Sequence, residues 1–249
     1  MSMIKGFIMS LGMFSIIPVP KNSWNEKYMP MVIPNLPLVG ILTGLIWYGL
    51  AHLLTKLGTP PLIESSIILI TPFILTGFIH ADGYMDVADA LFSRRDIETK
   101  KKILKDSNVG AFAVAAITGL ILLQFSAIYT ILDAQKTLIT IAFIPAVSRC
   151  APGIAILTLK PIFDTGYAVT FKNNTKPRHT TFICILTAII LTAAWISLGT
   201  SALPLLAGII MGLIATTYLY KQFKGMSGDL SGCIITISEL TALLCMALI

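Results

Sequence analysis

Residues 109–133 read VGAFAVAAITGLILLQFSAIYTILD, and this stretch decides the fold class. No Asp, Glu, Lys or Arg interrupts it before Asp133 at its end. About 20 predominantly apolar residues suffice to span a bilayer as a helix. Similar stretches occupy residues 36–54, 62–80, 138–158, 181–199, 203–220 and 232–249. We therefore predict an all-α fold, a polytopic transmembrane helical bundle of about seven spans, forming a single domain over residues 1–249.

The composition of the whole chain agrees with this prediction. It is 55% hydrophobic and only 12% charged, whereas soluble domains contain about 25% charged residues. Residues 3–17 are apolar but too short to span, so we predict an interfacial or re-entrant helix that is stopped by Pro18 and Pro20. Gly40 and Gly44 form a GxxxG pattern, which is typical of a helix-packing face.

The positive charges indicate an orientation in the membrane. Of the 18 Lys and Arg residues, 15 lie in the N-terminal segment and in the loops at 81–108, 159–180 and 221–231. Lys56 and Lys136 lie on the opposite side, and Arg149 lies inside a span. An excess of Lys and Arg marks the cytoplasmic side. We predict a multi-pass protein of the cell membrane with its polar loops in the cytoplasm and, since no basic patch contains interleaved aromatics, no nucleic-acid partner.

The segment 76–91, TGFIHADGYMDVADAL, contains the clearest chemical signal. Asp82, Asp86 and Asp89 are spaced i, i+4, i+7, which stacks three carboxylates on one face of a helix. Like charges at that spacing repel unless a cation lies between them, and Mg²⁺ binds one or two carboxylates together with substrate phosphates. We therefore predict a Mg²⁺ site. The alternative is a solvated acidic face balanced by the basic residues that follow.

Three further residues in or beside the loop 81–108 are candidate catalytic residues. Lys105 is a point charge suited to a phosphate contact, and His80 is a candidate base or a supporting group next to Asp82. Asp106 is interpreted either as an active-site residue or as a cap of the next span. His80 has the alternative of an interfacial histidine with no special role.

The second half of the chain contributes the remaining candidates. Arg149 lies within a span, where a charge is unfavourable and usually faces a polar cavity or a partner, and Glu239 in the last span is a suitable partner. The glycine-punctuated segment 224–232, KGMSGDLSG, allows its backbone to approach a phosphate closely. Lys224 and Ser227 are candidate substrate contacts there, and Asp229 is a candidate metal ligand. A structural turn is the alternative.

These residues together resemble the cobalamin synthase family, adenosylcobinamide-GDP ribazoletransferase. The family signature T-G-x-x-H-x-D-G-x-x-D-x-x-D is matched by Thr76, Gly77, His80, Asp82, Gly83, Asp86 and Asp89. A following K-D-S-x-x-G is matched by Lys105, Asp106, Ser107 and Gly110, and a C-terminal G-D-x-x-G…E by Gly228, Asp229, Gly232 and Glu239. The resemblance extends over almost the whole chain.

The resemblance implies transfer of the phosphorylated cobinamide arm of adenosylcobinamide-GDP to alpha-ribazole or its 5′-phosphate, with release of GMP. The substrates would be adenosylcobinamide-GDP and the ribazole, with Mg²⁺ as cofactor, the lipid bilayer as surroundings and a second copy of the chain as a candidate partner in a homo-oligomer. The roles expected on this basis are catalytic for His80, Asp82, Lys105 and Asp106, substrate-binding for Arg149, Lys224 and Ser227, and metal-binding for Asp82, Asp86, Asp89 and Asp229.

Three other classes of protein share part of this pattern. A CDP-alcohol phosphotransferase has clustered aspartates, but in a pattern D-G-x-x-A-R that is absent here. A Mg-dependent membrane prenyltransferase usually needs a second acidic motif, for which Asp229 is the only candidate. A transporter would use Arg149 and Glu239 as a coupling pair, yet no inverted repeat is visible.

Overall fold

The computed structural model describes residues 2–249, and within that range the chain is helical and contains no β-strand. Its α-helices are α1 (Ser2–Phe14), α2 (Leu36–Lys56), α3 (Pro61–Leu75), α4 (Ile79–Phe92), α5 (Ile97–Ile103), α6 (Ala111–Asp133), α7 (Ile144–Ser148), α8 (Cys150–Thr158), α9 (Tyr167–Asn174), α10 (Pro177–Leu198), α11 (Leu203–Phe223) and α12 (Gly228–Leu248). Short 3-10 helices cover Glu26–Met31, Ile33–Asn35, Ile139–Ala142 and Gly199–Ala202. The predicted all-α class is confirmed.

Several helical stretches of the described chain are suited to crossing a membrane. Five are long and apolar enough, or six when the bent pair α3 and α4 counts as one span. The five are Ile33–Lys56, Ala111–Asp133, Ile139–Thr158, Pro177–Phe223 and Gly228–Leu248. The chain is therefore a polytopic helical bundle, and the prediction of about seven spans differs from this count at two places.

The first difference concerns Pro177–Phe223, which counts once by length but folds back on itself. The turn between α10 and α11 lies beside the start of the Ile139–Thr158 stretch, since the Thr140 hydroxyl donates to the Ser201 carbonyl over 3.1 Å. The end of α11 lies beside the far end of that stretch, since the Met226 amide donates to the Lys160 carbonyl over 2.8 Å. The stretch therefore crosses the bundle twice, as the predicted spans 181–199 and 203–220.

The second difference concerns residues 62–80. The prediction that they form one straight spanning helix is wrong. Helix α3 ends at Leu75, and α4 leaves it at an angle of 90°. Gly77 and Phe78 adopt the left-handed conformation, with φ of 60° and 64°, which stops one helix and redirects the chain. Helix α4 consequently lies across the starts of α6 and α12, at one end of those two spans. We call this end of the bundle, where α4 with Asp82, Asp86 and Asp89 meets the starts of α6 and α12, the acidic end.

The predicted span 138–158 is also interrupted. It consists of a 3-10 turn, α7 and α8, with a break at Arg149 between the two helices. This stretch lies at the centre of the bundle, with 83% of its spanning window buried. Helix α2 packs against it through glycines, because a Cβ at Gly40 would meet Ala146 Cα at 2.6 Å and one at Gly44 would collide with the Ala142 carbonyl. The GxxxG prediction is confirmed.

The N-terminal helix is shorter than predicted. The prediction was residues 3–17, but α1 ends at Phe14, ahead of Pro18 and Pro20. After α1 the Ile16 amide donates to the Leu75 carbonyl over 2.9 Å. This bond ties the N-terminal segment to the bend between α3 and α4, so α1 borders the acidic end.

Candidate active site

Helices α4 and α12 cross in close contact, and two glycines make the contact possible. A Cβ on Gly83 would lie 2.7 Å from the carbonyl oxygen and 2.8 Å from the Cα of Asp229. One on Gly232 would lie 3.1 Å from the Cα of His80. Side chains at these positions would separate the helices. The crossing brings Asp82 on α4 to Asp229 in the first turn of α12.

The carboxylates at this crossing influence one another. Asp82 is exposed, while Asp86, one turn further along α4, is partly buried. Burial, followed by the negative charges of Asp82, Asp229 and Asp89 in that order, raises the pKa of Asp86 from 3.8 to about 6. The crossing is therefore a region of uncompensated negative charge that favours a cation or a proton.

Asp89 has a different environment from the other carboxylates. Its Oδ2 accepts the Gly110 amide hydrogen over 2.6 Å, and its Oδ1 accepts the Ala113 amide hydrogen over 2.9 Å. These amides begin α6, whose first turn has no side-chain cap of its own. Asp89 therefore caps α6 from the neighbouring helix. A metal-ligand role for Asp89 stays a prediction, and this contact gives the side chain a structural role as well.

The remaining carboxylates fit a Mg²⁺ ion that is shared with a phosphorylated substrate. The described residues contain no group of three or more His, Cys, Asp and Glu side chains arranged to hold a metal by themselves. Mg²⁺ usually takes one or two carboxylates and completes its shell with water and substrate phosphates. Asp82 and Asp229 supply hard oxygen donors in the wall of an open cavity, with Asp86 one turn further along α4, which suits that mode of binding.

Asp82 and Asp229 line a cavity of about 380 Å³ at the acidic end. His80 lines the same cavity and also a smaller one that contains Gln124 and Glu239. His80 therefore lies at the junction between the acidic cavity and the polar interior of the bundle. This position agrees with a role near the reacting groups, and its assignment as the base stays a prediction.

The loop before α12 contributes one of its two predicted substrate contacts to the cavity. Ser227 lines the cavity, caps α12 by accepting the Leu230 amide over 3.2 Å, and donates to Asp229 Oδ2 over 3.2 Å. Lys224 ends α11 in the left-handed conformation, is exposed and does not line the cavity. The substrate-binding role of both residues stays a prediction, and the structure brings only Ser227 to the cavity wall.

Lys105 and Asp106 lie at the rim of the acidic end. The Lys105 ammonium is 4.1 Å from the centre of the Phe163 ring, and Phe163 lines the cavity. Asp106 is exposed and accepts the Asn108 amide over 3.0 Å. The alternative that Asp106 caps the third span is wrong, because Asp89 caps α6 instead. The active-site roles of Lys105 and Asp106 stay predictions.

Arg149 is placed differently from the substrate contact predicted for it. The side chain is 1% exposed, forms an ion pair with Glu239 over 3.0 Å and donates to the Pro145 carbonyl over 2.7 Å. Ser148 donates to the same Glu239 oxygen over 2.9 Å. The expected pairing with Glu239 is confirmed. Arg149 does not line the acidic cavity, so the structure supports a positioning role at the break between α7 and α8.

Sequence reasoning missed one wall of the cavity. Phe163, Tyr167, Ala168 and Phe171 lie on α9 and the loop before it, and all line the cavity. Residues 159–180 were interpreted only as a basic cytoplasmic loop. Three aromatic residues within nine positions of an otherwise polar loop were the signal available in the sequence.

Comparisons with known proteins show which family the chain resembles. Residues 6–247 match the family described as cobalamin-5-phosphate synthase. A relative from Clostridium perfringens (strain SM101 / Type A) is 36% identical over 248 residues, 98% of each chain, and one from Clostridium botulinum (strain Alaska E43 / Type E3) is 32% identical over 97% of this chain and 96% of its own. A relative from Geobacillus sp. (strain WCH70) is 32% identical over 92% and 90%. All three are named adenosylcobinamide-GDP ribazoletransferase, and no solved structure matches the chain.

Proposed function

Because the chain belongs to the cobalamin-5-phosphate synthase family, we propose that it is an adenosylcobinamide-GDP ribazoletransferase. It joins adenosylcobinamide-GDP to alpha-ribazole or its 5′-phosphate, releases GMP, and completes the nucleotide loop. The observation that supports this most directly is the meeting of Asp82 and Asp229 in the wall of one cavity, with Asp86 close enough to feel both charges. Family membership does not favour a membrane prenyltransferase or a CDP-alcohol phosphotransferase.

The reaction is a phosphoryl substitution. A ribose hydroxyl oxygen of the ribazole forms a bond to the diphosphate phosphorus that bears cobinamide, and the bond from that phosphorus to the oxygen of GMP breaks. The hydroxyl proton passes to a base on the protein, and the departing GMP carries the displaced negative charge. Catalysis of such a step depends mainly on positioning and on stabilisation of charge.

The residues at the acidic end suit these tasks. Asp82 and His80 both line the cavity and are candidates to accept the proton. Lys105, at the rim over Phe163, would contact a phosphate. Asp82, Asp86 and Asp229 would hold Mg²⁺, which supplies positive charge to the diphosphate oxygens. Asp89 positions α6 relative to α4 and supports the site indirectly.

The orientation in the membrane is part of the same proposal. The acidic end includes the loops that hold most of the Lys and Arg residues, and this excess marks the cytoplasmic side of the cell membrane. Adenosylcobinamide-GDP is charged and membrane-impermeant, and so is ribazole when it carries its 5′-phosphate. A site facing the cytoplasm would receive them without transport.

The proposal is tested by measuring GMP release. Membranes containing the protein are incubated with adenosylcobinamide-GDP, alpha-ribazole and Mg²⁺, with EDTA in a parallel sample. We expect ribazole-dependent GMP release that EDTA abolishes. Asp229→Asn should lower the rate by about 10²-fold or more, because a charged group at the reacting centre is lost.

Asp133→Asn is the matched control, since Asp133 is an exposed aspartate at the opposite end of α6. It should retain the wild-type rate. Absence of GMP release from folded, membrane-inserted protein would contradict the proposed function. Release that is insensitive to EDTA would contradict the Mg²⁺ requirement alone.

A further inference from the structure

The cavity at the acidic end has two chemically different walls. One wall is formed by α4 and the start of α12, where Asp82, Ser227 and Asp229 provide polar groups. The opposite wall comes from α1, α8, α9 and the loop before α9 and is mainly apolar. The reacting phosphate must lie at the polar wall, so the apolar wall needs an apolar part of a substrate.

The apolar wall is rich in aromatic and aliphatic side chains. Phe163 and Phe171 approach from the α9 side, and Ile156 and Gly153 line the cavity from α8. Phe171 and Ile156 are buried, at 4% and 6% exposure, so their positions are fixed by packing. Aromatic side chains in a cavity wall favour a flat aromatic ligand through stacking and edge contacts.

The volume restricts which substrate can enter. The cavity measures about 380 Å³, near the lower limit of the roughly 300–1,000 Å³ typical of small-molecule sites. The corrin macrocycle of adenosylcobinamide-GDP is far larger than a nucleoside and must remain outside. Only a nucleoside-sized group fits, which leaves either the ribazole or a purine nucleoside of the other substrate, its guanosine or its adenosyl group.

The chemistry of the lining separates ribazole from the purine nucleosides. Guanine and adenine each present several hydrogen-bond donors and acceptors, and burying them against an apolar wall without partners is unfavourable. The dimethylbenzimidazole of ribazole has two methyl groups and a single free ring nitrogen. Its burial removes mostly apolar surface from water, which is favourable.

We propose that this cavity binds the benzimidazole base of ribazole against Phe163, Phe171 and Ile156, with the ribose directed toward Asp82 and Asp229. The proposal rests on the proposed function and specifies where that function binds its acceptor nucleoside. In this arrangement the ribose hydroxyl reaches the polar wall, where the diphosphate lies. The GDP-bearing substrate approaches from the open rim near Lys105.

Ala168 provides a direct test, since it lines the cavity from α9 and a larger side chain there would fill the space meant for the base. Ala168→Trp should weaken equilibrium binding of radiolabelled alpha-ribazole to the purified protein by at least about tenfold, given the loss of buried apolar contact. The KM for ribazole should rise by a similar factor, while the KM for adenosylcobinamide-GDP stays within about twofold. Ala168→Leu, a smaller change, should give an intermediate effect if the tryptophan variant does not fold.

Asn173→Trp is the matched control on the same helix, because Asn173 is exposed and does not line the cavity. It should bind ribazole like the wild type. Free 5,6-dimethylbenzimidazole should compete with ribazole, and guanosine should not. Unchanged ribazole binding in both Ala168 variants, or equal competition by guanosine, would overturn the proposal.

The binding measurement also separates this inference from the proposed function. Ribazole binding that depends on Ala168 in a protein without GMP release would support the nucleoside site and reject the transferase. GMP release, together with ribazole binding that is unchanged in the Ala168 variants, would support the transferase and reject the nucleoside site.

Discussion

Asp86 and Asp89 lie one turn apart on α4, yet replacing each by asparagine should change the stability of the metal-free protein in opposite directions. Asp86 faces other carboxylates, whereas Asp89 accepts two amide hydrogens at the start of α6. The substitutions Asp86→Asn and Asp89→Asn are identical in chemistry and size. Any difference between them therefore reports the surroundings of each carboxylate.

The expected gain at Asp86 follows from its pKa. The rise from 3.8 to about 6 sets a ceiling of about 3 kcal/mol, at 1.36 kcal/mol per pKa unit. Because Asp86 is only partly buried, solvent screening reduces the expected gain to about 1 kcal/mol. The folded protein holds this proton more tightly than the unfolded chain, so ionised Asp86 opposes folding fully above about pH 6. The gain from Asp86→Asn should shrink as the pH falls through 6 toward 4.

The expected loss at Asp89 follows from its hydrogen bonds. A charged group that caps a helix start and interacts with the helix dipole contributes about 1–2 kcal/mol. Asparagine keeps one acceptor oxygen but loses the charge, so Asp89→Asn should cost about 1 kcal/mol. Asp89→Ala removes both acceptors and should cost about 2 kcal/mol.

The assay is thermal unfolding of detergent-solubilised protein at pH 7.5 in EDTA. For a chain of this size, 1 kcal/mol corresponds to a Tm shift of about 2–4 °C. We expect Asp86→Asn to raise the Tm and Asp89→Asn to lower it by similar amounts. Equal stabilisation by both variants would show that Asp89 is another repelled carboxylate, and the capping interpretation would be wrong.

Three further predictions concern the bundle and its orientation. Glu239→Gln should cost about 3–5 kcal/mol of stability, because it leaves the buried Arg149 guanidinium without its counter-ion, and the double variant with Arg149→Met should lose less in the same unfolding assay. Gly83→Ala should lower GMP release by about 10²-fold, since its Cβ would push α4 away from α12 and misplace the reacting groups. In a background without the native cysteines, Lys102→Cys should react with an impermeant thiol reagent only from the cytoplasmic side and Thr137→Cys only from outside.

Each of these has a control or a contradicting result. A double variant as unstable as the sum of its parts would show that Arg149 and Glu239 do not interact. Gly119→Ala serves as the control for Gly83→Ala, because a Cβ at this helical position meets nothing within 4 Å. Labelling of both cysteines from the same side of the membrane would contradict the orientation.

The sequence was sufficient to predict the elements that depend on local composition. Apolar runs predicted the membrane helices because a bilayer requires length and apolarity, and these are local properties. The pairing of Arg149 with Glu239 was predictable because two opposite charges in apolar surroundings need each other. The turn between α10 and α11 followed from the glycine and polar residues at 199–201.

Features set by contacts distant in sequence were not predictable in the same way. The 90° bend after Leu75 falls within an apolar run, and the left-handed conformation of Phe78 has no sequence signal. The capping of α6 by Asp89 requires two helices to meet, so spacing alone grouped Asp89 with Asp82 and Asp86. The spacing placed all three on one helix face. The groups that contact this face change along the helix, from the start of α12 near Asp82 to the start of α6 at Asp89.

This change of partners explains how so many carboxylates are tolerated at one end of the bundle. Helix starts have partial positive charge, which stabilises nearby anions. Asp89 is bound to the start of α6, and Asp229 lies in the first turn of α12. Asp82 lies in the first turn of α4, whereas Asp86 lies a turn further along with no helix start beside it, and repulsion acts on Asp86 most strongly from Asp82. A divalent cation should therefore bind first between Asp82 and Asp86, where the negative charge is least compensated, and Asp229 should complete the site when the diphosphate arrives.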